Sequence, residues 1–286
     1  MSIESSPSAS NGCLYLVATP IGNLADISQR AVDTLRAVDM IAAEDTRHSQ
    51  HLLNHLGVAT RSQAYHEHNE DRLTPQLISQ LQQGQSIALI SDAGTPLVSD
   101  PGYRLVEQAH AHGIRVVPLP GPCAAIAALA AAGLATDRFV FEGFPPAKQQ
   151  ARQNYLQTLK HESRTLVFYV SCHRILETLT DLRDIFGAAR AVTLARELTK
   201  TFETIRKTTL AELCDWVEAD SNQRKGEIVL VVAGAGETVD DAAAERMLEV
   251  LLAELPVKQA AGIAAKLTGG NKNDLYRAAL KIKQAK

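Results

Sequence analysis

Leu14-Tyr15-Leu16-Val17-Ala18-Thr19-Pro20-Ile21-Gly22-Asn23 decides the fold: an apolar run of five residues breaks into a turn built from Thr, Pro, Ile, Gly and Asn. A short apolar run bounded by turn residues fits a strand buried on both faces. The pattern returns twice. Ile87 to Ser91 runs into Asp92-Ala93-Gly94-Thr95-Pro96-Leu97-Val98-Ser99-Asp100-Pro101-Gly102, and Ile114 to Leu119 runs into Pro120-Gly121-Pro122-Cys123-Ala124. Helix-period stretches lie between: Ser28 to Val38, the segment from the strand Met40 to Ala43 through Leu56, and Tyr103 to His112. Strand and helix in alternation give sheets covered by helices, and ligands bind at the loops that follow the carboxyl ends of such strands. Gly and Ala in those loops let a ligand approach the backbone closely.

Beyond Pro120-Gly121-Pro122 an Ala-rich helix through Ala132 opens a second series. Strands are expected at Phe139 to Phe144, Thr165 to Ser171, Ala191 to Arg196 and Ile228 to Ala233, with helices at Arg174 to Phe186 and Leu210 to Glu218. After Gly236 the pattern is helical only, with segments at Ala242 to Leu255, Val257 to Thr268 and Asn273 to Lys283. Val257, Ala260, Ala261, Ala264 and Leu267 share one face, as do Leu275, Ala279 and Ile282. Gly269-Gly270-Asn271 breaks the last two segments into a candidate helix-turn-helix. The expected organisation is a loose tail over 1–12, an N-terminal α/β domain over 13–119, a second α/β domain over 120–236 and a basic helical unit over 237–286.

At 286 residues and 45% hydrophobic content, the chain can close more than one core, which argues against a disordered or fibrous protein. A net charge of −3 gives no field that announces a nucleic-acid partner, so any RNA-binding patch is local. Residues 257–286 carry six Lys and one Arg against one Asp, a local +6, and this stretch reads either as an RNA contact through Lys258 and Lys272 or as a solvated tail. Cys13, Cys123, Cys172 and Cys214 are too widely spaced for a zinc framework and read as reduced cytoplasmic thiols. Met1 to Gly12 lacks the basic start and apolar stretch of a signal peptide, and the longest apolar run, Cys123 to Ala132, is too short to cross a bilayer, so no membrane segment is expected. No loop matches the glycine fingerprints of dinucleotide or nucleoside triphosphate sites, nor a nucleophile elbow.

Six ordered stretches then carry a specific resemblance: Leu14 to Ser28 (LYLVATPIGNLADIS), Ala43 to His48 (AEDTRH), Ile90 to Gly102 (ISDAGTPLVSDPG), Val117 to Ala125 (VPLPGPCAA), Glu142 to Pro146 (EGFPP) and Ala195 to Lys200 (ARELTK). They resemble the tetrapyrrole methylase family, and within it the branch that methylates ribosomal RNA. The resemblance covers almost the whole chain from about residue 13, terminal helices included. It implies two α/β domains of the tetrapyrrole methylase type, with S-adenosylmethionine as methyl donor in the cleft between them, a small C-terminal helical appendage and a homodimer. It further implies methyl transfer to the ribose 2′-oxygen of a cytidine in the decoding region of 16S rRNA, within the small ribosomal subunit. Methylation of a porphyrin-like small molecule and a non-catalytic RNA-binding role in ribosome assembly stand as alternatives; the Ala43 to His48 motif and the basic tail favour RNA.

By the same resemblance the donor contacts fall on Pro20 and Ile21, on Gly94, Thr95, Pro96 and Val98, on Cys123 and Ala124, on Tyr169 and Val170, and near Ala195 and Glu227. Relatives carry Gly-Asp-Pro where this chain has Gly94-Thr95-Pro96, so a carboxylate contact there is replaced by a hydroxyl. A ribose hydroxyl is a poor nucleophile until its proton leaves, which calls for a general base. Glu44, at the end of the second strand, is the first candidate, although with Asp45 it could equally cap the next helix or pair with Arg47. Asp100 as base, and Lys200 as a phosphate contact or an electrostatic aid to the hydroxyl, are alternatives that also read as ordinary turn or surface residues. Arg47 is suited to a bidentate phosphate contact. His66-Glu67-His68-Asn69 reads as a cleft-lining RNA contact through His66, His68 and Asn69 rather than a zinc site, since no third ligand follows at a usual spacing. His48, His51 and His55 fall on one helix side that reads as polar surface rather than a metal face. The basic loop Lys148 to Arg152 reads either as part of the RNA path or as solvated loop. No metal is expected.

Overall fold

The computed structural model of the chain describes residues 12–236, 241–268 and 272–284. Most of the expected N-terminal tail, and the Gly269-Gly270-Asn271 break, lie outside the described residues. The first sheet contains β1 (Cys13–Val17), β2 (Met40–Ala43), β3 (Ser62–Ala64), β4 (Ile87–Ile90) and β5 (Arg115–Leu119), in the order β3-β2-β4-β1-β5. Its neighbours are all parallel. Every residue of β2 and β4 is buried, which is why these strands read as unbroken apolar runs instead of alternating ones. The sheet is covered by α1 (Gln29–Ala37), α2 (Thr46–His55), α3 (Glu70–Gln82) and α4 (Tyr103–Ala111). One face packs Met40, Leu77, Leu89 and Leu105; the other packs Leu35, Ile41, Leu53 and Ile90. Helix starts are capped locally, with Ser28 accepting from the Ala31 N–H at 3.2 Å and Asp45 from the Arg47 N–H at 2.8 Å. Because β1 lies between β4 and β5, the loops after these three strands emerge side by side.

The chain passes from this sheet to the second over Pro120-Gly121-Pro122-Cys123 and enters α5 (Ala124–Ala131). The second sheet contains β6 (Phe139–Gly143), β7 (Thr165–Ser171), β8 (Ala191–Arg196), β9 (Thr204–Thr209) and β10 (Glu227–Val232), ordered β6-β7-β10-β8-β9. Only β6 and β7 are parallel; β10 enters between β7 and β8 and runs against both. Helices α6 (Gln149–Leu159), α7 (Ile175–Phe186) and α8 (Leu210–Ala219) cover one face, while Ala128 and Leu129 of α5 pack on the other against Val167, Val229 and Val231. Three further helices, α9 (Asp241–Glu254), α10 (Val257–Thr268) and α11 (Lys272–Gln284), close around Leu248, Ala261, Ala264, Leu275 and Ala279. Leu267, in the last turn of α10, is exposed rather than part of this core. Lys258, Lys266 and Lys272 stand on the outer surface.

The segment Lys148 to Arg152 is not a basic loop: Lys148 is exposed just ahead of α6, but Arg152 lies in the first turns of that helix and is 1% exposed. Its Nε donates to Asp181 at 2.6 Å, its other nitrogens donate to Glu177 at 3.4 Å and to the Ala147 carbonyl at 3.3 Å, and Asp181 is itself buried. Arg152 therefore ties α6 to α7 and is not available to an RNA phosphate. Truncating one partner strands the other charge in the core. Asp181→Ala is expected to cost about 3–5 kcal/mol of stability in urea unfolding, whereas the apolar pair Arg152→Met with Asp181→Leu recovers most of that loss; a neutral Asp181→Ala would contradict the assignment.

Candidate active site

The three loops singled out in the sequence are stitched together by hydrogen bonds. Thr19 and Gly94 exchange main-chain bonds, N–H to carbonyl at 2.8 Å in one direction and 3.0 Å in the other. The Thr19 hydroxyl donates to the Ser91 carbonyl at 3.2 Å, and the Thr95 hydroxyl donates to the Pro122 carbonyl at 2.9 Å. Gly94 sits at φ 85°, a left-handed conformation that glycine adopts without strain. Leu97 and Ser99 adopt φ of 72° and 69° without that freedom. Such strain persists only where the surroundings over-determine the backbone, and it gathers at binding sites.

Beside these loops, between the two sheets, lies a cleft of about 530 Å³. Ile21, Gly94, Thr95 and Val98 line it from the first sheet's loops. Ala124, Tyr169, Val170, Ala195 and Glu227 line it from α5 and the second sheet. Three of the expected donor contacts, Pro20, Pro96 and Cys123, are not in its wall. Pro96 is buried within its loop, and Cys123 packs with α5 against the second sheet's core. The sequence reading did not single out Asp92, Phe144, Leu198 or Ser171-Cys172-His173, all of which border the cleft. Ser171 ends β7 and Cys172 and His173 follow it directly, and strand-end position was the signal that could have found them.

Glu44 and Asp100 also line the cleft. Glu44 neither caps α2 nor pairs with Arg47; both roles fall to Asp45, which lies 3.4 Å from Arg47. Instead Glu44 accepts the Asp92 N–H at 3.3 Å, and the Asp92 carboxylate accepts the Asp45 N–H at 3.0 Å. Burial raises the Glu44 pKa; the bond from the Asp92 amide opposes that, and the charges of Asp92, Glu67 and Asp45 add to it. Asp100 is pushed up to about 6, first by burial and then by the Glu44 charge. The Tyr169 hydroxyl, which accepts the Ala125 N–H at 3.3 Å, is raised to about 12 by burial, with Asp100 among the further contributors. The cleft thus combines a backbone-lined wall with two carboxylates that are reluctant to ionise.

The remaining candidates divide. Lys200 does not line the cleft: its ammonium donates to Glu197 at 2.8 Å and Glu227 at 3.1 Å, and its stem lies over Gly22, where a Cβ would come within 2.4 Å of Lys200 Cγ. Burial alone would lower its pKa, but the two carboxylate bonds outweigh that and raise it. The expected free charge is therefore committed, and Lys200 is a clasp between the first loop and the second sheet. Asn69 closes the turn before α3, accepting the His66 N–H at 2.9 Å and donating to the Ala64 carbonyl at 3.1 Å. His66 Nδ1 is buried without a hydrogen-bond partner among the described residues, and His68 is exposed. Arg47 projects into solvent, as do His48, His51 and His55 on α2. Among the described residues no group of three or more His, Cys, Asp or Glu could hold a metal ion.

Residues 13–214 match the family described as Tetrapyrrole (Corrin/Porphyrin) Methylases, and the chain belongs to that family. Residues 238–283 match a second family, the RsmI C-terminal HTH domain, which covers the three-helix unit. The more particular likeness is to proteins named Ribosomal RNA small subunit methyltransferase I. That of Pseudomonas aeruginosa is 59% identical over 275 residues, covering 95% of this chain and 98% of the relative. That of Escherichia coli O157:H7 is 56% identical over 273 residues, covering 95% and 96%. Solved structures share the fold at low identity. Uroporphyrin-III-C-methyltransferase from Thermus thermophilus gives a TM-score of 0.55 at 20% identity over 78% of this chain and 94% of that one. Diphthine synthase gives 0.58 at 14% over 78% and 90%.

The raised Asp100 pKa carries a sign for stability. The folded state holds this proton up to about pH 6, while the unfolded carboxyl releases it near 3.8, so stability falls as pH rises between those values and the penalty is complete above them. The group is half-buried, so solvent screens much of the effect. Asp100→Asn is expected to raise the Tm at pH 8 by roughly 2–4 °C, the equivalent of about 1 kcal/mol in a chain of this size, with no gain at pH 3.5. A gain that is equal at both pH values would contradict the assignment.

Proposed function

We propose that the chain transfers the methyl group of S-adenosylmethionine to the ribose 2′-hydroxyl of a cytidine in the decoding region of 16S rRNA, as a cytoplasmic homodimer acting on the small ribosomal subunit. The observation that carries this reading is the pairing, in one cleft, of a wall rich in small residues with two half-buried carboxylates. The near full-length relatives named Ribosomal RNA small subunit methyltransferase I support the acceptor class. In this reading the units 13–119 and 120–236 form the two jaws, and 237–286 is an RNA-contacting unit whose positive charge is concentrated in residues 257–286.

The residues present fit a nucleoside-sized ligand. A cleft of about 530 Å³ lies within the range that small-molecule sites span, and the small side chains of Ala93, Thr95, Ala124 and Ala195 leave room along its wall. Ile21, Gly94, Thr95, Ala124, Tyr169 and Ala195 would hold the donor. Bound there, S-adenosylmethionine supplies a methyl group already activated on a sulfonium sulfur. What the protein adds is placement and a destination for the hydroxyl proton. Asp100 is the better base: with a pKa of about 6 it is ionised at neutral pH yet more basic than an ordinary carboxylate. Burial sustains most of that value and the charge of Glu44 adds to it. Arg47 and Lys148, with Lys258 and Lys272 of the terminal unit, are exposed cations for RNA phosphates. Lys200 acts by holding the jaws together.

The test is incubation of unmethylated small subunits with the protein and labelled donor, followed by nucleoside mapping; the label is expected in 2′-O-methylcytidine, and label on a base overturns the reading. Asp100→Asn is expected to lower kcat on the order of 10²–10⁴-fold. Wild-type kcat/KM is expected to rise with pH to a plateau above about 6, the value at which Asp100 loses its proton. In Glu44→Gln, which removes the neighbouring charge, this limb moves to lower pH.

A further inference from the structure

Strand β6 ends on an irregularity that changes which side chain faces the cleft. In its pairing with β7, Phe139, Val140 and Phe141 sit opposite Thr165, Leu166 and Val167, but Gly143, not Glu142, sits opposite Phe168. Glu142 is an inserted residue. Side chains alternate along a strand, so without the insertion Phe144 would point to the face opposite Phe141. With it, Phe144 shares the face of Phe141 and comes beside Tyr169. Both rings meet that tyrosine, Phe141 at 5.0 Å between centroids and 73°, Phe144 at 5.5 Å and 61°. The bulge is anchored on both sides. The Tyr155 hydroxyl donates to the Glu142 carboxylate, and Gly143, at φ 63°, backs onto Ser99, where a Cβ would lie 3.3 Å from the hydroxyl.

The two phenylalanines have different fates. Phe141 packs against the core, while Phe144 is 60% exposed at the rim of the cleft that Asp100 and Glu44 line. Pro145 and Pro146 follow it and stiffen the backbone on its far side. An inclined contact with Tyr169 leaves ring surface open to solvent, and an apolar ring held rigidly in that state is a ready platform for a planar ligand. Bulges next to active sites commonly serve to re-aim a side chain. Here the re-aimed side chain is an aromatic ring beside the loop that carries the candidate base.

Resting on the reading that the acceptor is a ribose hydroxyl, we infer that Phe144 is the surface on which the nucleobase of the acceptor nucleotide stacks once that nucleotide has left its own helical stack. Single-stranded RNA is recognised through unstacked bases laid on aromatic side chains. Stacking fixes the plane of the base and so directs the attached sugar along the cleft towards Asp100. Because every base has a π-face, this contact supplies affinity and placement but not selection of cytidine.

The experiment compares wild type with Phe144→Ala, Phe144→Leu and Phe144→Trp, measuring S-adenosylmethionine affinity by calorimetry and initial rates on unmethylated small subunits. Donor affinity is expected to stay within twofold in all three variants. Phe144→Ala and Phe144→Leu are expected to lower kcat/KM between roughly 5- and 150-fold, the range of base–aromatic stacking, and Phe144→Trp to retain or exceed wild-type values. Full activity in Phe144→Leu, which keeps apolar bulk but no π-face, overturns the inference. A tenfold loss of donor affinity in Phe144→Ala also overturns it, by placing the ring on the donor. If wild type binds the donor but does not methylate small subunits, the reading beneath the inference fails, and that outcome is separate from a wild type that methylates while Phe144→Leu does so equally well.

Discussion

The pair of main-chain hydrogen bonds between Thr19 and Gly94 sets the position of everything else in the cleft. These residues follow β1 and β4, neighbouring parallel strands, and parallel strands end at a common edge where their loops are free to diverge. The exchange removes that freedom. It turns two exits into one ledge, and the Thr95 hydroxyl extends the ledge to Pro122, at the start of the second half of the chain. Backbone donors and acceptors join the first two loops, while the hydroxyls of Thr19 and Thr95 brace the ledge and carry it to the third. Gly94 supplies the positive φ that lets the ledge turn.

The carboxylates depend on the same frame. Glu44 ends β2, the strand on the other side of β4, and is held by the amide of Asp92, which follows β4. Asp100 closes the same loop eight residues later. Burial in the crevice raises both pKa values, the charge of Glu44 raises that of Asp100 further and the charge of Asp92 that of Glu44, and no Lys or Arg among the described residues lines the crevice. The nearby lysine is occupied elsewhere: Glu197 and Glu227 absorb the charge of Lys200. The electrostatic character of the site therefore follows from where the positive charges are not, as much as from where the acids are.

The first sheet was legible because its central strands are buried on both faces and written as MIAA and IALI, between turns dense in Gly and Pro. What escaped lies where that signal is weak. Strand β3 is only three residues, Ser62-Gln63-Ala64, none of them large and apolar, and β9 is an exposed edge, TIRKTT, whose cations suit an edge strand but resemble a loop. Helix α3 carries Pro75 in its interior, a residue that reads as punctuation although Leu73, Leu77 and Leu81 keep the helical period. The antiparallel entry of β10 between β7 and β8 is a matter of pairing partners, which no local pattern encodes. At the site, nine expected donor contacts do converge on the cleft wall, since short motifs carried them. Arg152 misled because a guanidinium's charge is visible in sequence while its buried partner Asp181, 29 residues away, is not. Phe144 was hidden for a different reason: its direction depends on a single extra residue in a ladder.

Pro120 to Cys123 is the stretch of main chain that joins the two sheets, and it leads directly into α5, which lines the crevice at Ala124 and is rooted in the second sheet's interior. The connector is thus no slack tether. Its two ends are held by different halves: the Thr95 hydroxyl fastens Pro122 to a loop of the first sheet, and α5 fixes the far end against the second, so a change of angle between the halves would break that bond or bend the few residues between.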